Sequence, residues 1–228
     1  MSTINVNAID KESGSTLTLG GAGTTVAVHA SATTSGFDSG LASVQTFTSS
    51  GTWTRPTGIT KVIVEVQGAG AGGNNGLASS AYSTGGSAGG YVKKLIDVSS
   101  ISTATITIGA KGTGSATRTG NDGGDSIWSD GTNTLTGGGG SAGTSGGGEA
   151  SGLGGSATGG DLNLTGGNAS NSASLFAGGS FWGSGSVRRD SGGEPMASRG
   201  AYGTGGVAVY DAQSVDAPDG VVFVEEYK

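Results

Sequence analysis

The stretch that decides the fold is residues 45–73, QTFTSSGTWTRPTGITKVIVEVQGAGAGG. Within it, residues 61–67 carry valine at every second position, so one face of a predicted strand is apolar. A strand of matching length and character, DGVVFVEEY, occupies residues 219–227 at the far end of the chain. We expect these two strands to pair, with Val64 near Val224, and to close one domain around the glycine-rich residues between them.

Glycine dominates the composition, with 50 glycines and only 3 prolines in 228 residues. A strict Gly-X-Y period is missing, which excludes collagen. The 11 basic and 17 acidic residues give a net charge of −6, which argues against nucleic acid as a partner. The lack of cysteine removes disulfides and thiolate chemistry. We expect no membrane insertion, because no apolar run approaches the roughly 20 residues that a membrane-spanning helix needs.

Residues 1–44 form a small N-terminal head in this interpretation, with a boundary near the glycine-punctuated TTSGFDSG at 33–40. Three short alternating strands are predicted at 3–9, 15–19 and 24–29. A unit of this size seldom buries enough apolar surface to fold alone. The head is therefore predicted to serve oligomerisation and attachment through its alternating apolar residues, which are Ile4, Val6, Leu17, Leu19, Val26 and Val28.

Residues 45–228 form the second domain, and every element that can be recognised in it is a strand. The predicted fold class is all-β: the head, followed by a β-sandwich-like glycine-rich domain. Thirteen of the 24 residues in 137–160 are glycine. Such a tract is either mobile or packed backbone against backbone in extended segments of the polyproline II type. We favour the packed alternative.

The aromatic residues divide into two groups. Trp53 is expected in the core where the turn at Pro56 bends the chain over the first strand pair, and Trp128, in a predicted strand, is expected there too. Four others stand among glycines, which have no side chains to bury them: Phe176, Phe181, Trp182 and Tyr202. They either plug the wall of the glycine tract or form a receptor-binding platform on which sugar rings stack, aided by Arg188, Arg189 and Arg199.

Catalysis and metal binding find little support in the sequence. The single histidine, His29, has no nucleophile elbow or recognisable triad to act with. Acid pairs for glycoside hydrolysis could be drawn from five aspartates, Asp122, Asp125, Asp130, Asp161 and Asp190, but their separation cannot be derived. Residues 120–127, GNDGGDSI, resemble one copy of a calcium-binding nonapeptide, for which a plain Asn/Asp-Gly hairpin turn is the favoured alternative. We predict no enzyme activity, no metal and no cofactor.

Several motifs occur in an order that resembles a known family: TFTSSGTWTRP at 46–56, TKV at 60–62, GGYV at 89–92 and the ending DGVVFVEEY. Residues 45–228 look like the glycine-rich domain of bacteriophage tail fibres. The head is similar, more loosely, to the openings of short fibre-like structural proteins of marine phages. The chain departs from the commonest pattern because it is short and has no long shaft.

The resemblance implies a virion protein that is assembled in the host cytoplasm and is usually a homotrimer. Such a protein attaches through its N-terminus to another virion protein and presents its C-terminal domain to a host surface receptor, with glycan as one candidate. The leading expectation is a tail fibre or receptor-binding protein. The alternative is a head fibre or capsid decoration protein with a structural role.

Overall fold

The structure is a computed structural model, and it describes residues 40–76, 84–115, 119–143, 151–170, 176–185, 201–207, 209–210 and 215–228. The six apolar residues assigned to oligomerisation lie outside the described residues. The same holds for His29, Asp190 and the three arginines of the predicted platform.

Twelve strands occur in the described part of the chain. They are β1 (Leu41–Phe47), β2 (Gly51–Thr54), β3 (Lys61–Gln67), β4 (Asn75–Gly76), β5 (Tyr91–Asp97), β6 (Thr103–Thr107), β7 (Ser126–Ser129), β8 (Thr134–Gly137), β9 (Ala157–Thr158), β10 (Leu162–Leu164), β11 (Val209–Tyr210) and β12 (Val221–Tyr227). The all-β prediction is confirmed. β1 begins at Leu41, before residue 45, which is the predicted start of the second domain. No described helix is long and apolar enough to cross a membrane.

The first sheet has five antiparallel strands in the order β1-β12-β3-β5-β10. Val64 of β3 lies directly opposite Val224 of β12, so the predicted pairing of the two valine-rich strands is confirmed. The last strand of the chain therefore sits inside the sheet, between β1 and β3, where both of its edges are hydrogen bonded. This placement ties the end of the domain to its beginning.

The second sheet has five antiparallel strands in the order β2-β6-β7-β8-β9, and its apolar face packs on that of the first. The core between them contains Trp53 and Trp128, both fully buried as predicted, with ring centroids 5.2 Å apart. The Trp53 indole N–H donates to the buried carboxylate of Glu226 at 2.7 Å. A buried indole thus keeps its polar group paired inside an otherwise apolar core.

Beyond the ends of these strands the chain continues as extended glycine-rich segments. The backbone N–H groups of residues 68–74 donate to three neighbouring segments, and successive residues turn to the first, the second and the third segment before the order repeats. The donor and acceptor pairs are Gly68 to Gly90, Ala71 to Ser87 and Asn74 to Thr84 for the first neighbour, Ala69 to Gly124 and Gly72 to Asn121 for the second, and Gly70 to Pro218 and Gly73 to Val215 for the third. Each neighbour is met at every third residue, and it runs in the opposite direction.

A three-residue repeat with partners on all sides is what an extended helix with three residues per turn produces, as polyproline II does. Glycine is required because the backbones come so close: a Cβ on Gly86 would lie 1.8 Å from the carbonyl oxygen of Ala71. In the described part of residues 137–160, the N–H of Gly138 donates to Ser156 and that of Gly140 to Ala69, so direct backbone packing is confirmed there. The polyproline II conformation itself stays a prediction.

Candidate functional site

The outer face of the first sheet, opposite the core, provides the base of the candidate site. Strand alternation turns Val64 and Val224 inward, so Glu65 of β3 and Phe223 of β12 point outward, and the two lie opposite each other in the register. Tyr91 starts β5 on the same face and lies opposite Gln67. These residues stand where the sheet meets the glycine segments.

A tight turn at residues 180–183 holds two further aromatic side chains over this face. The backbone N–H of Ser180 donates to the carbonyl of Gly183 at 2.9 Å, and the N–H of Trp182 donates to the Ser180 hydroxyl at 3.2 Å. Phe181 and Trp182 occupy the two middle positions of the turn. Both hydrogen bonds lie within the turn, so the backbone that carries the two rings is closed locally.

Five rings form what we call the aromatic cluster: Tyr91, Phe181, Trp182, Tyr202 and Phe223. Phe181 stacks on Tyr91 with a centroid distance of 4.0 Å and an interplanar angle of 14°. Trp182 lies 4.9 Å from Phe223 and meets Tyr91 edge-on at 6.3 Å. Phe181 and Trp182 remain 53% and 39% exposed, whereas Tyr91 beneath them is only 2% exposed. The cluster has a buried floor and an exposed upper surface.

Tyr202 joins the cluster from a second turn, and its ring meets Phe223 edge-on at 6.2 Å. The next residue, Gly203, has φ +71°, a backbone conformation that favours glycine. A Cβ there would also lie 2.4 Å from the carbonyl oxygen of Gly68. Gly203 is hydrogen bonded on both sides, to Asp219 and to Gly89, so the turn that carries Tyr202 is fixed to the glycine segments.

Polar groups lie next to the rings. Glu65 is buried and accepts a 2.7 Å ion-pair hydrogen bond from Lys93. Burial raises the pKa of the Tyr91 phenol, and its hydrogen bond with Glu65 raises that pKa further, so Tyr91 stays neutral at physiological pH. The amide nitrogen of Gln67 donates to the carbonyls of Gly89 and Gly90, at 2.8 and 3.1 Å. The floor of the cluster is therefore fixed by hydrogen bonds as well as by packing.

The structure brings together three of the residues predicted for receptor binding, Phe181, Trp182 and Tyr202. Phe176 is 46% exposed, but none of the ring contacts among the described residues includes it. Arg188 and Arg189 lie outside the described residues, so their part in the site stays a prediction. Sequence reasoning missed Tyr91 and Phe223 as site residues. Alternation along DGVVFVEEY could have placed Phe223 on the outer face, since it lies between two inward valines.

The calcium-like residues 120–127 are part of the glycine packing. The expected Asn/Asp-Gly hairpin turn is wrong, because residues 121–124 run extended beside residues 110–113. Asp122 accepts the backbone N–H of Ala142 at 2.6 Å and Asp125 that of Gly139 at 2.8 Å. These two carboxylates accept hydrogen bonds from backbone N–H groups at the edge of the glycine packing. Among the described residues no group of three or more acidic, histidine or cysteine side chains could hold a metal.

The other two described aspartates from which acid pairs could be drawn also bind the backbone. Asp130 accepts the N–H groups of Thr132 and Asn133, and Asp161 accepts that of Leu95. Each of these two carboxylates thus has a backbone partner in a turn or beside a strand.

One comparison with known proteins identifies a family. A family model described as a glycine-rich domain matches residues 42–225. No curated protein matches the chain. The matched range includes all the described strands except β1's first residue and the last residues of β12.

Proposed function

Since the chain belongs to the glycine-rich domain family, we propose that it is a bacteriophage tail fibre or receptor-binding protein. It attaches to the virion by its N-terminal residues and presents residues 45–228 to the host cell surface. The aromatic cluster is the contact surface in this proposal. Binding, with no chemical step, is its function.

The exposure of Phe181 and Trp182 is the observation that carries the proposal. Large apolar rings on a protein surface lose contact with water when a partner covers them, and aromatic side chains supply much of the energy of binding interfaces. Both rings sit on the turn at 180–183, which is closed by its own hydrogen bonds, and the preceding Gly179 accepts the N–H of Gly167 in the glycine packing. A surface fixed before binding loses little conformational entropy when the partner arrives.

Attachment and trimerisation are proposed for residues 1–44. The support is their composition, because a short unit with few apolar residues gains most by associating with copies of itself. Light scattering should give a trimer mass for the full chain and a monomer mass after removal of residues 1–38, a cut that leaves β1 whole. A trimer that survives the removal would place the association in the glycine-rich domain.

Adsorption to bacteria tests the proposed function. We expect fluorescently labelled protein to bind the cells that the phage infects, and the double variant Trp182→Ala, Tyr202→Ala to lose this binding. Leu153→Ala is a matched control, because Leu153 is an exposed apolar residue, 65% accessible, that is not part of the aromatic cluster. Circular dichroism and the melting temperature establish that each variant folds.

Full adsorption by the folded double variant would overturn the assignment of the contact surface. Wild-type protein that binds no host cell, with immunogold label found on the capsid, would replace the proposal with a structural role on the head.

A further inference from the structure

A shallow pocket of about 180 Å³ opens at the side of the aromatic cluster. Among the described residues its lining includes Tyr91, Phe181, Leu164, Thr165, Ser180 and three glycines. Leu164 lies opposite Tyr91 in the register of β10 and β5, so these two side chains belong to one cross-strand row. Phe181 stands above that row through its stack on Tyr91. The pocket therefore combines an apolar wall with the backbone of the glycine segments.

The pocket is smaller than the roughly 300–1,000 Å³ that drug-sized ligands occupy, so it suits one small ring rather than an extended chain. Its lining supplies two hydroxyl groups, from Thr165 and Ser180, which can both donate and accept hydrogen bonds. Among the described residues the Ser180 hydroxyl accepts the Trp182 N–H and donates to no group, so its proton is available to a ligand.

We propose that this pocket binds one neutral pyranose ring of a host surface glycan. A pyranose has an apolar face of C–H bonds, which fits the Phe181 and Leu164 side, and a rim of hydroxyl groups, which fits Thr165 and Ser180. This inference rests on the proposed function, and it names the chemical class of the receptor at the same site.

Neutrality follows from the charges around the pocket. None of the described residues that line it is charged, so among them an acidic sugar would lose hydration without gaining a cationic partner. Glu65 and Lys93, on the same face, are already joined to each other at 2.7 Å. The net charge of the chain, −6, adds a weak repulsion toward anionic glycans.

Saturation-transfer NMR on the full chain tests the proposal, with glucose, galactose and mannose as neutral probes and glucuronic and sialic acid as acidic ones. We expect transfer to the C–H protons of at least one neutral sugar and none to the acids. Phe181→Ala should weaken this binding about tenfold or more. Thr165→Val, which removes a hydroxyl with little change of shape, should weaken it severalfold, and Leu153→Ala should leave it unchanged.

Two outcomes would overturn the proposal: no transfer to any neutral sugar, or transfer that both folded variants retain in full. Cell adsorption separates this failure from failure of the proposed function. If the labelled protein adsorbs but excess neutral sugar does not compete, and protease treatment of the cells removes binding, the receptor is a protein and only the sugar inference fails. If a neutral sugar binds the pocket but no cell is bound, the proposed function fails and the sugar site stands.

Discussion

The strand region and the glycine region of this domain are held together by different physical means. Between the two sheets, Trp53, Trp128 and the inward valines remove apolar area from water. Among residues 68–74, short side chains contribute little area, and the backbone N–H groups donate to neighbouring segments. The difference predicts opposite sensitivities: the sandwich is damaged when atoms are taken away, and the glycine region is damaged when atoms are added.

Removing the Trp53 side chain should have the largest effect. Trp53→Ala leaves a cavity beside Trp128 and takes the indole N–H from the buried carboxylate of Glu226. We expect the free energy of unfolding to fall by about 3–5 kcal/mol. Urea denaturation followed by circular dichroism measures this loss. Leu153→Ala removes an exposed apolar side chain and should change stability by less than about 0.5 kcal/mol.

Adding one methyl group to the glycine region should cause the second-largest loss of stability. Gly86→Ala forces a Cβ to within 1.8 Å of the backbone oxygen of Ala71, and the backbone on both sides is hydrogen bonded to other segments. We expect a loss of about 3 kcal/mol. The matched control is Gly51→Ala in β2, where a Cβ meets nothing within 4 Å. Equal melting temperatures for the two variants would show that close backbone approach does not set the stability of the glycine region.

The sequence predicts the strand region well because its signals are local. Alternation of valine in residues 61–67 and 221–224 fixes which face is buried, and that face determines the register of β3 with β12. The burial of Trp53 is predicted from another local signal, a bulky ring just before the turn at Pro56. Local patterns of this kind need no knowledge of the rest of the chain.

For the glycine region, the sequence predicts that backbones pack directly on one another, but not which segments are partners. Each segment there meets several others that are distant in sequence, and glycine has no side chain whose pattern could specify the partner. The same limit applies to the aromatic cluster. The exposure of Trp182 could be expected from its glycine neighbours, but its contact with Phe223 depends on where the glycine packing positions the turn at 180–183.

A smaller loss of stability is expected at the edge of the glycine region, where a side chain accepts a hydrogen bond from the packed backbone. Asp216 accepts the backbone N–H of Gly114 at 2.9 Å and pairs with Lys111 at 2.9 Å. Asp216→Ala should cost about 1 kcal/mol, because the Gly114 N–H loses its partner. Asp216→Asn keeps an amide oxygen for that N–H and loses only an exposed ion pair, so it should cost about 0.5 kcal/mol or less. Equal losses in urea denaturation would assign the whole effect to the charge.

Acid should produce the smallest effect, and it should act on both regions. The hydrogen bond from Lys111 lowers the pKa of Asp216 at the glycine end. At the turn between β7 and β8, burial would raise the pKa of Asp130, but hydrogen bonds from the backbone N–H groups of Asn133 and Thr132 outweigh it and the pKa is lowered. Both carboxylates thus bind protons less readily in the folded state than in the unfolded chain.

The sign of the pH dependence follows from these two shifts. A lowered folded pKa contributes stability above the unfolded value, about 3.9 for aspartate, and this contribution is lost as the pH falls through the folded pKa. Melting temperatures should therefore be level from pH 7 to about pH 5 and drop below about pH 4. Asp130→Asn and Asp216→Asn should each make that drop smaller, because the variant has no carboxylate to protonate. If only Asp130→Asn reduces the drop, acid acts through the strand region and the glycine backbone packing is insensitive to pH.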